Sequence, residues 1–126
     1  MNNKYTILLA EDEESMVTLI KYNLEQAGYT LYAVKNGKLA LDFCSRQKPD
    51  LIISDISMPE MDGYELRENL ISNQNFRDIP FIYLTAKTQT DDKFRGMGLG
   101  VNHFLIKPFE PELLLLTVSN ILGIKD

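Results

Sequence analysis

Four short apolar runs in this sequence each end in groups able to do ionic chemistry. Residues 5–10 lead into Glu11-Asp12, residues 51–54 into Asp55, residues 81–84 into Thr85-Ala86, and residues 103–106 into Lys107-Pro108. If these runs are parallel strands of one sheet, three carboxylates, a hydroxyl and an ammonium converge on one edge. Clustered carboxylates repel and raise one another's pKa unless a cation neutralises them. Oxygen ligation with few protein donors suits Mg2+, with Mn2+ as a substitute, sharing its shell with water and a phosphate. Lys107 is a mobile point charge that pairs with phosphate, or with a carboxylate when phosphate is absent. Each acid has a plainer reading by itself. A lone Asp after a strand caps a helix or makes a turn, and Glu11-Asp12-Glu13-Glu14 suits a helix N-terminus. Complementary groups at all four strand ends favour a site.

The elements that must position these groups follow from periodicity. Residues 5–10 are short and almost wholly apolar, as a strand buried on both faces should be. Residues 15–27 place Met16, Leu19, Ile20 and Leu24 at helical spacing, and Gly28 stops the helix. A strand is expected at 30–34, then a turn at Asn36-Gly37 into a helix with Leu39, Ala40, Phe43 and Cys44 on one side. Pro49-Asp50 precedes the strand at 51–54, and a loop with Pro59, Asp62 and Gly63 leads to a helix over 64–72 with Leu66 and Leu70 inward. Pro80 opens a strand at 81–84. A weak helix at 90–97 adjoins Gly96, Gly98 and Gly100, and glycine costs about 1 kcal/mol against Ala within a helix. A fifth strand at 103–106 and a helix over 112–122, with Pro111 in its first turn, complete the chain. Five strands alternating with five helices predict an α/β fold, a doubly wound parallel sheet with helices on both faces.

Length and charge set limits. A chain of 126 residues with no linker-like tract and no repeat reads as a single domain over 1–126, with no output domain. The balance of 18 acidic against 13 basic residues, net −5, and the lack of a basic stripe argue against direct nucleic-acid binding. No run approaches the ~18 apolar residues of a membrane span, and the start is no signal peptide. A lone cysteine, Cys44, excludes an internal disulfide framework and fits a cytoplasmic, reducing setting.

The segments Ile7-Leu-Leu-Ala-Glu-Asp-Glu13, Leu51-Ile-Ile-Ser-Asp-Ile-Ser-Met-Pro-Glu-Met-Asp-Gly63, Tyr83-Leu-Thr-Ala86 and Phe104-Leu-Ile-Lys-Pro-Phe109 resemble the receiver domain of two-component response regulators, the chemotaxis regulators included. The resemblance covers essentially the whole chain, with every motif in order. It implies a flavodoxin-like sheet of strand order 2-1-3-4-5 and a phosphorylation-activated switch. Asp55 would be the phosphoacceptor, taking a phosphoryl group from a histidine kinase or histidine phosphotransfer protein. Asp12 would be the main magnesium ligand, with Glu11 acting through a water, and Asp55 and the Ser57 carbonyl completing the protein's share. Thr85, the Ala86 N–H and Lys107 would hold phosphoryl oxygens, and Pro108 resembles a cis-proline position. Thr85 and Phe104 would form the switch, changing a surface on the fourth helix, fifth strand and fifth helix. Ser57 and Lys87 stand where the family flanks the water that hydrolyses the aspartyl phosphate. Formation and hydrolysis of that phosphate are the domain's own, so no enzyme with a diffusible substrate is expected.

The sequence departs from the family pattern in places. The acidic pair is Glu-Asp rather than Asp-Asp, which lengthens one arm and keeps the charge. Asn102-His103 and Thr117 replace charges that serve a salt-bridged dimer in many DNA-binding members. A homodimer through that face would then rest on other contacts. His103 reads as a surface residue. In the last helix Leu114, Leu115, Val118, Ile121 and Leu122 share a face, which turns Leu113 and Leu116 outward. With Phe94 and Ile106 they would form an apolar patch for an unknown downstream protein or for self-association.

Two other functions in reach of this fold fit less well. A magnesium phosphatase with an aspartyl nucleophile needs an acid two residues after Asp55, where Ser57 stands. A flavin carrier needs a Gly/Ser/Thr-rich phosphate loop after the first strand, where Glu11-Asp12-Glu13-Glu14 would repel it. If Lys87 slows hydrolysis by crowding or pairing at the site, Lys87→Ala should shorten the aspartyl-phosphate lifetime. A phosphate-release rate equal to the parent's would remove that role.

Overall fold

The computed structural model describes residues 5–86 and 103–123. In chain order the elements are β1 (Thr6–Ala10), α1 (Glu14–Gln26), β2 (Thr30–Val34), α2 (Gly37–Arg46), β3 (Leu51–Asp55), α3 (Gly63–Ile71), β4 (Phe81–Ala86), β5 (Phe104–Lys107) and α4 (Pro111–Leu122). The strands form one parallel sheet in the expected order, β2-β1-β3-β4-β5. Four helices fall among the described residues; the helix expected at 90–97, with Phe94, lies outside them, as do Lys87 and Asn102. Among the described residues no helix is long and apolar enough to cross a membrane.

Strand side chains alternate between the two faces, so a doubly covered sheet needs apolar residues at consecutive positions. In β1, Ile7 and Leu9 join Ile20 and Leu24 of α1 and Leu114 and Val118 of α4 on one face. Leu8 and Ala10 point the other way, to Ala40 and Cys44 of α2 and Leu66 and Leu70 of α3. Two expected core positions are instead exposed, Leu19 and Leu39. Each lies on the flank of a helix whose sheet-facing stripe is already supplied, by Ile20 and Leu24 in α1 and by Ala40 and Cys44 in α2. In α4, Leu114 and Val118 are buried and Leu115, Ile121 and Leu122 pack against them, while Leu113 and Leu116 stand 48% and 56% exposed.

The expected turn chemistry sets the helix entries. Gly28, at φ 98°, ends α1 in a conformation that costs glycine little. Asn36 caps α2, its side chain accepting from Leu39 N–H at 2.8 Å. Asp62 and Glu65 form a reciprocal capping box on α3. The start of α3 then lies directly on β3: Gly63 N–H donates to Ile56 O at 2.8 Å, and a Cβ on Gly63 would come within 2.5 Å of Asp55 O. Alanine is the better helix former by about 1 kcal/mol, so Gly63→Ala would gain if helix propensity ruled. The backbone contact predicts the opposite sign, a loss of about 1–3 kcal/mol in chemical denaturation, the usual cost of overpacking.

Candidate functional site: an acidic cluster at the carboxyl edge of the sheet

Strand register brings the chemistry-bearing residues level. Ala10 pairs with Ser54, so Glu11 and Asp55, one step on, emerge side by side at the sheet edge. Asp55 pairs with Leu84, which places Thr85 one residue beyond it on β4, and Ala86 pairs with Lys107. One carboxylate oxygen each of Glu11, Asp12 and Asp55 lies within 4.8 Å of the others. Lys107 Nζ donates to Glu11 Oε1 at 3.2 Å and to Asp55 Oδ2 at 3.3 Å. Glu13 N–H donates to the other Glu11 oxygen at 3.1 Å.

Glu11 is 2% exposed and Asp55 is buried, whereas Asp12 is open to solvent. Burial, reinforced by the Asp55 charge, raises the Glu11 carboxyl to about 7, against the counter-effect of the Glu13 N–H and Lys107. Burial works against the Lys107 ammonium as well, but the Asp55 and Glu11 carboxylates outweigh it and hold its pKa above the ordinary value. Among the described residues three acids face one ammonium, which leaves negative charge in excess. The donor set is oxygen-only, close-spaced and open on the Asp12 side, which fits a divalent cation that keeps part of its water shell.

The residues expected on β4 and β5 arrive as placed. Thr85 is fully buried, its Oγ1 donating to Ala86 O at 3.3 Å, and Ser57 is exposed in the loop after β3. The Lys107–Pro108 peptide is cis. Phe104 is half-buried, its ring centroid 5.5 Å from that of Tyr83. His103 is exposed.

A family model described as the response regulator receiver domain matches residues 7–119. The chain belongs to this family. It is 41% identical over 122 residues to the alkaline phosphatase synthesis transcriptional regulatory protein PhoP of Bacillus subtilis, covering 97% of this chain and 49% of that protein. The chain thus spans about half the length of the curated relatives it matches, such as SaeR of Staphylococcus aureus at 36% identity over 92% of this chain and 50% of that one. Among solved structures it is similar to the chemotaxis response regulator CheY4 of Vibrio cholerae, with a TM-score of 0.86 and 31% identity over 93% of this chain and 98% of that one. It is also similar to the receiver domain of a Pseudomonas aeruginosa sensor histidine kinase, described with a magnesium ion coordinated in the active site cleft, with a TM-score of 0.86 and 32% identity over 94% of this chain and 98% of that one. Receiver domains bind magnesium at an acidic cluster and interact with histidine kinases, and in this receiver domain that cluster is Glu11, Asp12 and Asp55.

Some of the site's supports are not visible in residue types. A γ-turn over Pro59-Glu60-Met61, closed by Met61 N–H on Pro59 O at 2.7 Å, holds Glu60 at φ 66°. There its carboxylate accepts from the Asn36 side chain at 3.3 Å, and Gly37 N–H donates to Met61 O at 3.0 Å. These bonds tie the start of α2 to the loop after Asp55. Glutamate is an unusual residue at positive φ, so its side chain could not be placed from sequence. The Tyr83 ring against Phe104 likewise needed the β4–β5 register, Tyr83 pairing with Phe104.

A carboxyl whose pKa is higher folded than unfolded destabilises the fold once ionised. For Glu11 that penalty is absent below the ordinary value of 4.5, grows between there and about 7, and is complete above. In magnesium-free buffer at pH 8, Glu11→Gln should therefore exceed the parent in stability by on the order of 3 kcal/mol. The gap should close as the pH falls to 4.5, and magnesium should narrow it at pH 8 by stabilising the parent. Urea denaturation across that range checks the sign; a less stable Glu11→Gln at pH 8 contradicts the electrostatics.

Proposed function

We propose that this receiver domain is a phosphorylation-activated switch in which Asp55 accepts a phosphoryl group from a histidine kinase or histidine phosphotransfer protein. The observation that carries this reading is Lys107 Nζ, held between Asp55 and Glu11 at 3.3 and 3.2 Å, where it can transfer its contact from carboxylate to a phosphoryl oxygen. An Asp55 carboxylate oxygen attacks the donor phosphohistidine; the new O–P bond forms as the P–N bond breaks, and the imidazole leaves with the bonding pair and takes up a proton. Lys107, the Thr85 hydroxyl and the Ala86 N–H receive the phosphoryl oxygens. Such transfers need positioning and charge neutralisation above all, and this short set supplies both.

Magnesium, or manganese in its place, supplies the positive charge that three acids leave uncompensated. Asp12 and Asp55 would hold it directly, with Glu11 through a water and the Ser57 carbonyl as a further donor. By their place in the family's sequence pattern, Ser57 and Lys87 are assigned to tuning hydrolysis of the aspartyl phosphate. Thr85 and Phe104 carry the change outward: Thr85 moves toward the phosphoryl group, and the Phe104 ring, which has no hydroxyl to bond outside, changes place by packing alone. The output leaves through β5, α4 and the segment 90–97, either to a protein partner or to a further domain of a longer regulator. A homodimer through this face would rest on Leu113 and Leu116, which are exposed on α4. The domain over 1–126 is read as a cytoplasmic module that makes no direct nucleic-acid contact and acts on no diffusible substrate.

Magnesium-dependent binding of beryllofluoride, a phosphoryl mimic, followed by amide NMR and light scattering, tests this. Shifts should centre on Asp55, Thr85 and Phe104, require magnesium and vanish in Asp55→Ala. A rise in mass would place the output in self-association. No shift with magnesium present would reject the switch.

A further inference from the structure

At the amino-terminal rim of the sheet, the end of the strands away from Asp55, α3, β4, β5 and α4 border a cleft of about 740 Å³. That size lies within the range of small-molecule sites. Arg67 of α3 lines it and is only 8% exposed. Its Nε and Nη1 are buried without a hydrogen-bond partner, and no carboxylate pairs with it among the described residues. These two nitrogens carry three N–H donors, and arginine stays charged at neutral pH. The compensation on hand is the Phe81 ring, 5.6 Å from the guanidinium carbon. An unpaired buried cation is costly to the fold, and an anion seated beside it would remove that cost through charge-assisted hydrogen bonds.

The surroundings select for such a ligand. The whole chain is acidic, at net −5, yet among the described residues the charged ones lining this cleft are Arg67, Arg77 and one acid, Asp78. Phe81 and Phe104 supply aromatic wall. We propose that this cleft binds a small organic anion, its carboxylate or phosphate on Arg67 with Arg77 nearby and its apolar body against Phe81 and Phe104. The site is separate from the acidic cluster and does not depend on phosphoryl chemistry at Asp55.

Benzoate, phenyl phosphate and neutral benzamide, titrated into the isotopically labelled protein, test this by NMR. At least one anion should move the Arg67 Nε–H resonance and the amides of Phe81, His103 and Thr117 saturably, with benzamide roughly tenfold weaker or worse, the scale of one charge-assisted contact. The tighter of the two anions identifies the preferred head group. Arg67→Met should abolish the response, and Arg77→Ala, at an exposed position, should weaken it while keeping the fold. Should Arg67→Met fail to fold, the benzamide comparison and Arg77→Ala decide. Equal responses to benzamide, no saturable shift at Arg67, or shifts confined to Asp55, Thr85 and Lys107 would each overturn the proposal.

Discussion

The Lys107 ammonium, within 3.3 Å of both Asp55 and Glu11, is the interaction on which the carboxyl edge of this receiver domain depends. Two buried carboxylates on adjacent strands repel, and burial adds to the cost of their charge. One cation relieves part of this from the far end of the chain, 96 residues from Glu11. The relief is incomplete, as the raised Glu11 carboxyl records. The edge is therefore left prepared for added positive charge, and an Asp12 open to solvent leaves a way in.

Everything beneath that edge serves to keep the charges level. A sheet covered on both faces needs consecutive apolar residues, and β1, β3 and β4 largely supply them, with the charged residues at or just beyond the strand ends. The Ala10–Ser54 and Ala86–Lys107 pairings then convert ends of strands into neighbours in space. The loop after Asp55 is pinned from two sides, by Gly63 on Ile56 O and by Gly37 on Met61 O. Both are glycines because a Cβ at either position would meet backbone oxygen within 2.8 Å. The site is thus held by backbone hydrogen bonds as much as by packing.

The two rims of the sheet hold opposite charge problems. At the carboxyl rim, acids outnumber the cation among the described residues; at the amino rim, the buried Arg67 guanidinium rests over Phe81 with two nitrogens unbonded. Phe104 borders the second cleft and packs on Tyr83, whose strand runs on to Thr85 beside the first. β4 and β5 therefore span both regions, which gives a physical connection between them through packed aromatic rings.

Strands, helix stops and turns were legible in the residues. Periodicity alone located all five strands, most plainly the largely buried and apolar β1, β3 and β4, and Asn36, Asp62 and Gly28 cap or end helices as their chemistry requires. Periodicity also assigned Leu19 and Leu39 to the core, where they are not, since it cannot tell how wide a stripe the neighbouring elements will cover. Of the acidic edge, the residue types after the apolar runs marked Glu11, Asp12, Asp55 and Lys107, which the structure brings together. Tertiary structure alone decided the distances, the Glu11–Lys107–Asp55 bridge, the Glu60 turn and the unpaired Arg67. Their common reason is that charge and burial are set by groups dozens of residues away, and spacing along a chain carries no information about them until strand register brings them together.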